Sequence, residues 1–124
     1  MKKDSKILLL DILDSIKKIK EYTKNVSEDK FFDNLQIQDA VIRRIGIIGE
    51  AVKNLPGSFK NKHFDIPWKK IAGTRDIIIH DYSGVDADLV WEIINKDIPK
   101  LKKQISKLLD YYSLRKDGGQ KRRL

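Results

Sequence analysis

The stretch RDIIIHDYSG, Arg75 to Gly84, sets an arginine, a histidine and a tyrosine around three consecutive isoleucines. Arginine offers a permanently charged fork that bonds two phosphate oxygens at once, and histidine gives and takes protons near neutrality. Together Arg75 and His80 suffice for RNA cleavage without a metal. An imidazole removes the proton of a 2′-hydroxyl or protonates the leaving 5′-oxygen, and the guanidinium stabilises the charge on the pentacoordinate phosphorus. A complete mechanism needs both an acid and a base, whereas one chain supplies a single well-placed imidazole, so the chemistry implies two chains. Asp76 either pairs with a neighbouring base or orients His80, and Tyr82 by itself reads as a packed aromatic with a wet hydroxyl. The same spacing also has a bland reading, in which His80 ends a helix at the negative end of its dipole and Arg75 pairs with a surface carboxylate.

The elements that must position these residues are helical. Leu9, Ile12, Leu13, Ile16 and Ile19 keep the spacing of one helix face, predicting a helix from about Asp4 to Thr23. The stretch from Asn25 to Phe32 reads as a linker with room for one helical turn, with Ser27 as its N-cap. Ile37, Val41, Ile45, Ile48, Val52 and Leu55 then predict a second long helix, from about Asp33 to Asn54, stopped by Pro56 and Gly57. Inside it Gly46 and Gly49 each cost about 1 kcal/mol relative to alanine. Either another backbone approaches there, from a neighbouring helix or a second subunit, or an isoleucine-rich helix simply tolerates them.

Residues 56 to 66 read as a loop that leaves His63 exposed, and Pro67 opens a third helix, capped by Asp65, that runs through PWKKIAGTRDIIIHD to Asp81. The segment DIIIHDY could pass for a buried strand, but no partner strand is visible elsewhere, and a lone strand cannot satisfy its backbone. If the helix were regular, Arg75 and Tyr82 would lie within about 20° of each other and His80 about 140° from Arg75. Hence either the helix ends near His80 and a turn closed by Gly84 re-aims it, or the arginine reaches around. The last helix begins near Asp86, carries Val90, Ile94, Ile98, Leu101, Ile105, Leu108 and Tyr112 in register, and should kink at Pro99. Trp68 and Trp91 read as core residues.

At 124 residues the chain suits one domain, and 40% hydrophobic with 35% charged residues describes a compact protein. The absence of cysteine removes disulfides, thiolate nucleophiles and Cys-based metal sites, and suits a cytoplasmic protein. Two histidines far apart in sequence argue against a structural metal, and the apolar run before Asp11 is too short for a signal peptide or a membrane span. The net charge is +8, and residues 100 to 124 hold nine Lys or Arg against two Asp, a balance of +7. That asymmetry favours an anionic partner, with nucleic acid the usual one; the competing reading is a solvated helix face with a floppy cationic tail. The ending from Arg115 to Leu124 lacks an apolar face and reads as a disordered basic tail.

The motif resembles the Arg-x4-His-x-Tyr signature of the HepT-like branch of the HEPN superfamily, the toxin partners of minimal nucleotidyltransferases. Here it is Arg75, His80 and Tyr82, and IGEA in the second helix, PWKKIAGTRD before the motif and VWEIINKDIPKL in the last helix extend the resemblance to about Leu114. It implies one domain over residues 1 to 114, followed by the tail. That domain would be an all-α, up-and-down bundle of four to five helices, homodimeric across a cleft that joins two motifs. It further implies a metal-independent ribonuclease that needs no cofactor and acts on RNA as a toxin. The toxin would be held in check by a nucleotidyltransferase antitoxin that transfers AMP to Tyr82, filling the cleft with negative charge. The competing reading is a non-catalytic module that binds a nucleotide or the nucleotidyltransferase through the same cleft.

Overall fold

The computed structural model describes residues 2–80 and 84–123, with only the backbone described at His80 and residues 114–123. It is an all-α bundle built on three long helices, α1 (Lys3–Tyr22), α3 (Leu35–Asn54) and α7 (Ile98–Arg123). Short helices fill the connections: α2 (Glu28–Asp33), α4 (Gly57–Lys62), α5 (Trp68–Ile78) and α6 (Ala87–Glu92). A π-helical turn, Ile93–Asp97, joins α6 to α7. None of the described helices is long and apolar enough to cross a membrane.

The apolar periodicity becomes a single core. Leu9, Ile12, Ile16 and Ile19 of α1, Val41, Ile45, Ile48 and Val52 of α3, and Ile98, Leu101, Ile105 and Leu108 of α7 are all buried. Each such side chain contributes about 1.5–3 kcal/mol by leaving water. α3 lies at the centre, packed on α1 along one side and on α5 along another. Its start is fixed locally: the Asn34 side chain accepts from the Ile37 N–H at 3.0 Å, and the buried Gln38 amide donates to the Phe31 and Phe32 carbonyls at the end of α2. Ser27 caps α2, accepting from the Lys30 N–H at 3.2 Å.

Five readings of the sequence need correction. The loop over residues 56 to 66 contains a helix, α4, that seats Phe59 in the core. His63, expected in solvent, is half-buried against Phe59 and shares a 2.6 Å hydrogen bond between Nε2 and the Tyr112 hydroxyl. Burial and the neighbouring Lys62 charge hold its imidazole below the ordinary value, with Asp65 opposing. At α5, Pro67 takes the cap position itself and Asp65 contributes no capping bond. Near Pro99 the distortion falls one turn early: the Ile98 N–H reaches back to the Ile93 carbonyl in π register, and the Asn95 side chain donates to the Trp91 carbonyl at 2.8 Å. A widened turn makes room for the proline ring, which would otherwise meet the carbonyl four residues earlier. Finally, α7 continues to Arg123 where the composition suggests no regular structure. An already nucleated helix needs no new nucleus to continue, and Lys, Arg and Gln favour it, although Gly118 and Gly119 each cost about 1 kcal/mol relative to alanine.

Candidate active site

The motif sits where α5 ends. Trp68, buried, anchors the start of α5, its indole N–H donating to the His63 carbonyl at 3.0 Å. At the other end Ile79 leaves the helix with extended backbone. Ile79–His80 (β1) then pairs antiparallel with Gly84–Val85 (β2), Ile79 opposite Val85 and His80 opposite Gly84. The Asp86 N–H donates to the Ile78 carbonyl at 2.9 Å and closes the pair against the helix terminus. The third helix therefore stops at Ile78, short of His80, and the strand partner that the sequence seemed to lack lies only four residues further on. Gly84 has φ +83°, a left-handed conformation that side chains with a Cβ disfavour, so the glycine is what lets the chain turn back here.

The three isoleucines do different work. Ile78 is fully buried and pins the helix end to the core, Ile79 is half-buried, and Ile77 is 55% exposed. Arg75, in the last turn of α5, and Asp76 beside it are exposed. Among the described residues no carboxylate pairs with Arg75; the ion pairs formed are Asp14 with Lys18 and Glu92 with Lys96. Its guanidinium is therefore open to an anion. The His80 side chain and the whole of Tyr82 lie outside the described residues, so what is placed is the backbone of His80, two residues past the helix end.

Gly46 and Gly49 face α5. A Cβ at Gly46 would stand 3.1 Å from Arg75 Cδ, so the missing side chain leaves room for the arginine stem to cross α3. At Gly49 a Cβ would stand 3.1 Å from the Ala72 carbonyl oxygen, so this glycine sets how closely α5 approaches α3. Gly49→Val is therefore expected to destabilise the fold by about 1–3 kcal/mol through overpacking. Gly73→Ala, in α5 with open space around it, should instead gain up to about 1 kcal/mol. Urea unfolding midpoints check both, and a Gly49→Val protein as stable as the original would contradict the close approach.

Sequence reasoning passed over Arg43 and Glu50. Both are exposed on α3 and line the same open groove as Gly46, Arg75, Ile79 and Gly84. The signal was available, since Arg43 and Glu50 stand three residues before and four after Gly46 and so share its face.

Comparison with known proteins places the sequence in a family. A family model described as ribonuclease HepT-like matches residues 12–108. A Methanocaldococcus jannaschii protein named "Gamma-glutamylcyclotransferase and putative RNase" is 57% identical over 110 residues, 89% of this chain and 50% of that protein, so the chain spans about half the length of this relative. "Probable ribonuclease HepT" of Thermococcus cleftensis is 44% identical over 108 residues, 87% of this chain and 98% of that one. A second M. jannaschii protein, "Putative RNase", is 42% identical over 104 residues, 84% of this chain and 95% of its own. No solved structure matches the chain. The chain belongs to the HepT-like ribonuclease family.

Proposed function

We infer that this protein is a metal-independent endoribonuclease, with Arg75 as phosphate clamp and His80 as general acid or base. The observation that carries the reading is the end of α5 at Ile78: Arg75, which pairs with no carboxylate among the described residues, lines an open groove together with Ile79 and Gly84, the chain neighbour and the strand partner of His80. In the reaction a 2′-hydroxyl loses its proton and its oxygen attacks the adjacent phosphorus. The guanidinium binds the non-bridging oxygens as their charge grows, and the 5′-oxygen leaves with a proton. Because one chain has one imidazole in the motif, the acid and the base come from two chains of a homodimer, with Asp76 orienting His80. The wider setting rests on the resemblance of the motif Arg75, His80 and Tyr82 to the HepT-like branch. The protein acts as the toxin of a toxin–antitoxin pair, and a nucleotidyltransferase antitoxin silences it by placing AMP on Tyr82, whose phosphates occupy the seat of the RNA phosphate.

The product ends test the chemistry. Attack by the 2′-oxygen leaves a 2′,3′-cyclic phosphate on one fragment and a 5′-hydroxyl on the other, and a 2′-deoxy residue at the scissile position should block cleavage altogether. Fragments bearing a 5′-phosphate, or unimpaired cleavage of the deoxy-substituted strand, would contradict the mechanism.

A further inference from the structure

Arg75 does not face its groove alone. Arg43 reaches the same groove from α3, and it stands one turn before Gly46, where the Arg75 stem crosses. Three residues of helix separate those points by about 4.5 Å along the axis. Asp39 lies four residues before Arg43, the order that favours a helical ion pair, and Glu50 lies four residues after Gly46. Yet no carboxylate among the described residues comes within 4.0 Å of either guanidinium, although Asp14–Lys18 and Glu92–Lys96 close at 3.1 and 3.3 Å with the same spacing.

Two exposed guanidiniums line one groove with no carboxylate among the described residues in contact with either, which favours an anion at that groove. The positive zone is also short. Asp39 bounds it before Arg43 and Glu50 bounds it after Gly46, both lining the groove, so it suits one or two phosphates and not a long backbone track.

We propose that Arg43 is a second phosphate clamp, binding the phosphate next to the scissile one while Arg75 holds the scissile phosphate itself; this rests on the ribonuclease reading. Arg43 binds substrate equally in the ground and transition states, whereas Arg75 meets the charge that develops in the reaction. The two arginines should therefore separate kinetically.

The test compares the full-length wild type, Arg43→Ala and Arg43→Lys on one RNA oligonucleotide. Steady-state cleavage gives kcat and KM, and fluorescence anisotropy gives Kd between about 50 and 200 mM salt. Arg43→Ala should raise KM and Kd about 10-fold, keep kcat within about 3-fold, and flatten the slope of log Kd against log salt by about 0.7, the share of one single-strand phosphate contact. Arg43→Lys should restore that slope while recovering only part of the affinity, because a point charge replaces a fork. Unchanged Kd and slope in Arg43→Ala would overturn the clamp, as would a loss confined to kcat. Thermal melts check that the exposed substitution leaves the fold intact; should alanine lower the melt, the Lys protein, which keeps the long stem, carries the comparison. If the wild type cleaves no RNA, the ribonuclease reading fails, and the anisotropy slopes still decide whether Arg43 contacts a phosphate.

Discussion

His80→Ala is expected to lower kcat for RNA cleavage by about 10²–10⁴-fold, the usual contribution of a positioned proton donor or acceptor. KM should change little, because the imidazole acts on the reacting oxygens and leaves the rest of the strand to other groups. The fold should survive. His80 contributes backbone to its pairing with Gly84, and Ile78, two residues earlier, is the buried anchor. The pH profile separates a chemical role from a structural one. Wild-type kcat/KM should fall away on at least one side of its pH optimum, and the alanine protein should lose that limb. A variant with equal kcat and the same profile would remove His80 from the mechanism.

Arg75→Ala is expected to lower kcat/KM by about 10²–10³-fold, with most of the loss in kcat, since the guanidinium meets charge that is largest in the transition state. Arg75→Lys keeps a positive charge and a long stem that can pass over Gly46, yet it loses the bidentate fork, so it should recover only part of the rate. Arg75 makes no ion pair with a described residue and is exposed, so neither substitution should lower the unfolding midpoint appreciably. Full rescue by lysine would reduce the residue to a diffuse electrostatic role, and an unimpaired alanine protein would remove it from the site.

Much of the scaffold was legible because it rests on periodicity. The stripe from Leu9 to Ile19 and that from Val41 to Val52 are buried as their spacing requires, and Ser27 caps the helix it precedes. What escaped was set by contacts between distant segments. His63 sits in a polar run, and only the return of α7 brings Tyr112 to its ring. The end of α5 was hidden by three isoleucines, which suit helix and strand alike; the deciding partner was the short Gly84–Val85 segment, too brief to register as a strand. Pro99 marked a real distortion, but the π turn relieves it before the proline is reached.

At the site, the residue types of Arg75, His80 and Gly84 were legible from the motif, and the resemblance gave them a chemistry. The groove was not legible, because it arises from the packing of α3 against α5. The glycines at 46 and 49 carried the only trace of that packing, and the structure assigns their near contacts to α5: Arg75 at one and the Ala72 carbonyl at the other. Arg43 shares the face of Gly46, but without the groove that spacing gave no reason to separate it from a solvated charge.

The most direct test of the central claim is cleavage of single-stranded RNA by the purified protein in excess EDTA, run beside His80→Ala from an identical preparation. The account predicts that the wild type cuts at an undiminished rate with the metal removed, while the alanine protein cuts at most about a hundredth as fast. Equal cleavage by the two proteins, or activity that EDTA abolishes and a divalent metal restores, would contradict it.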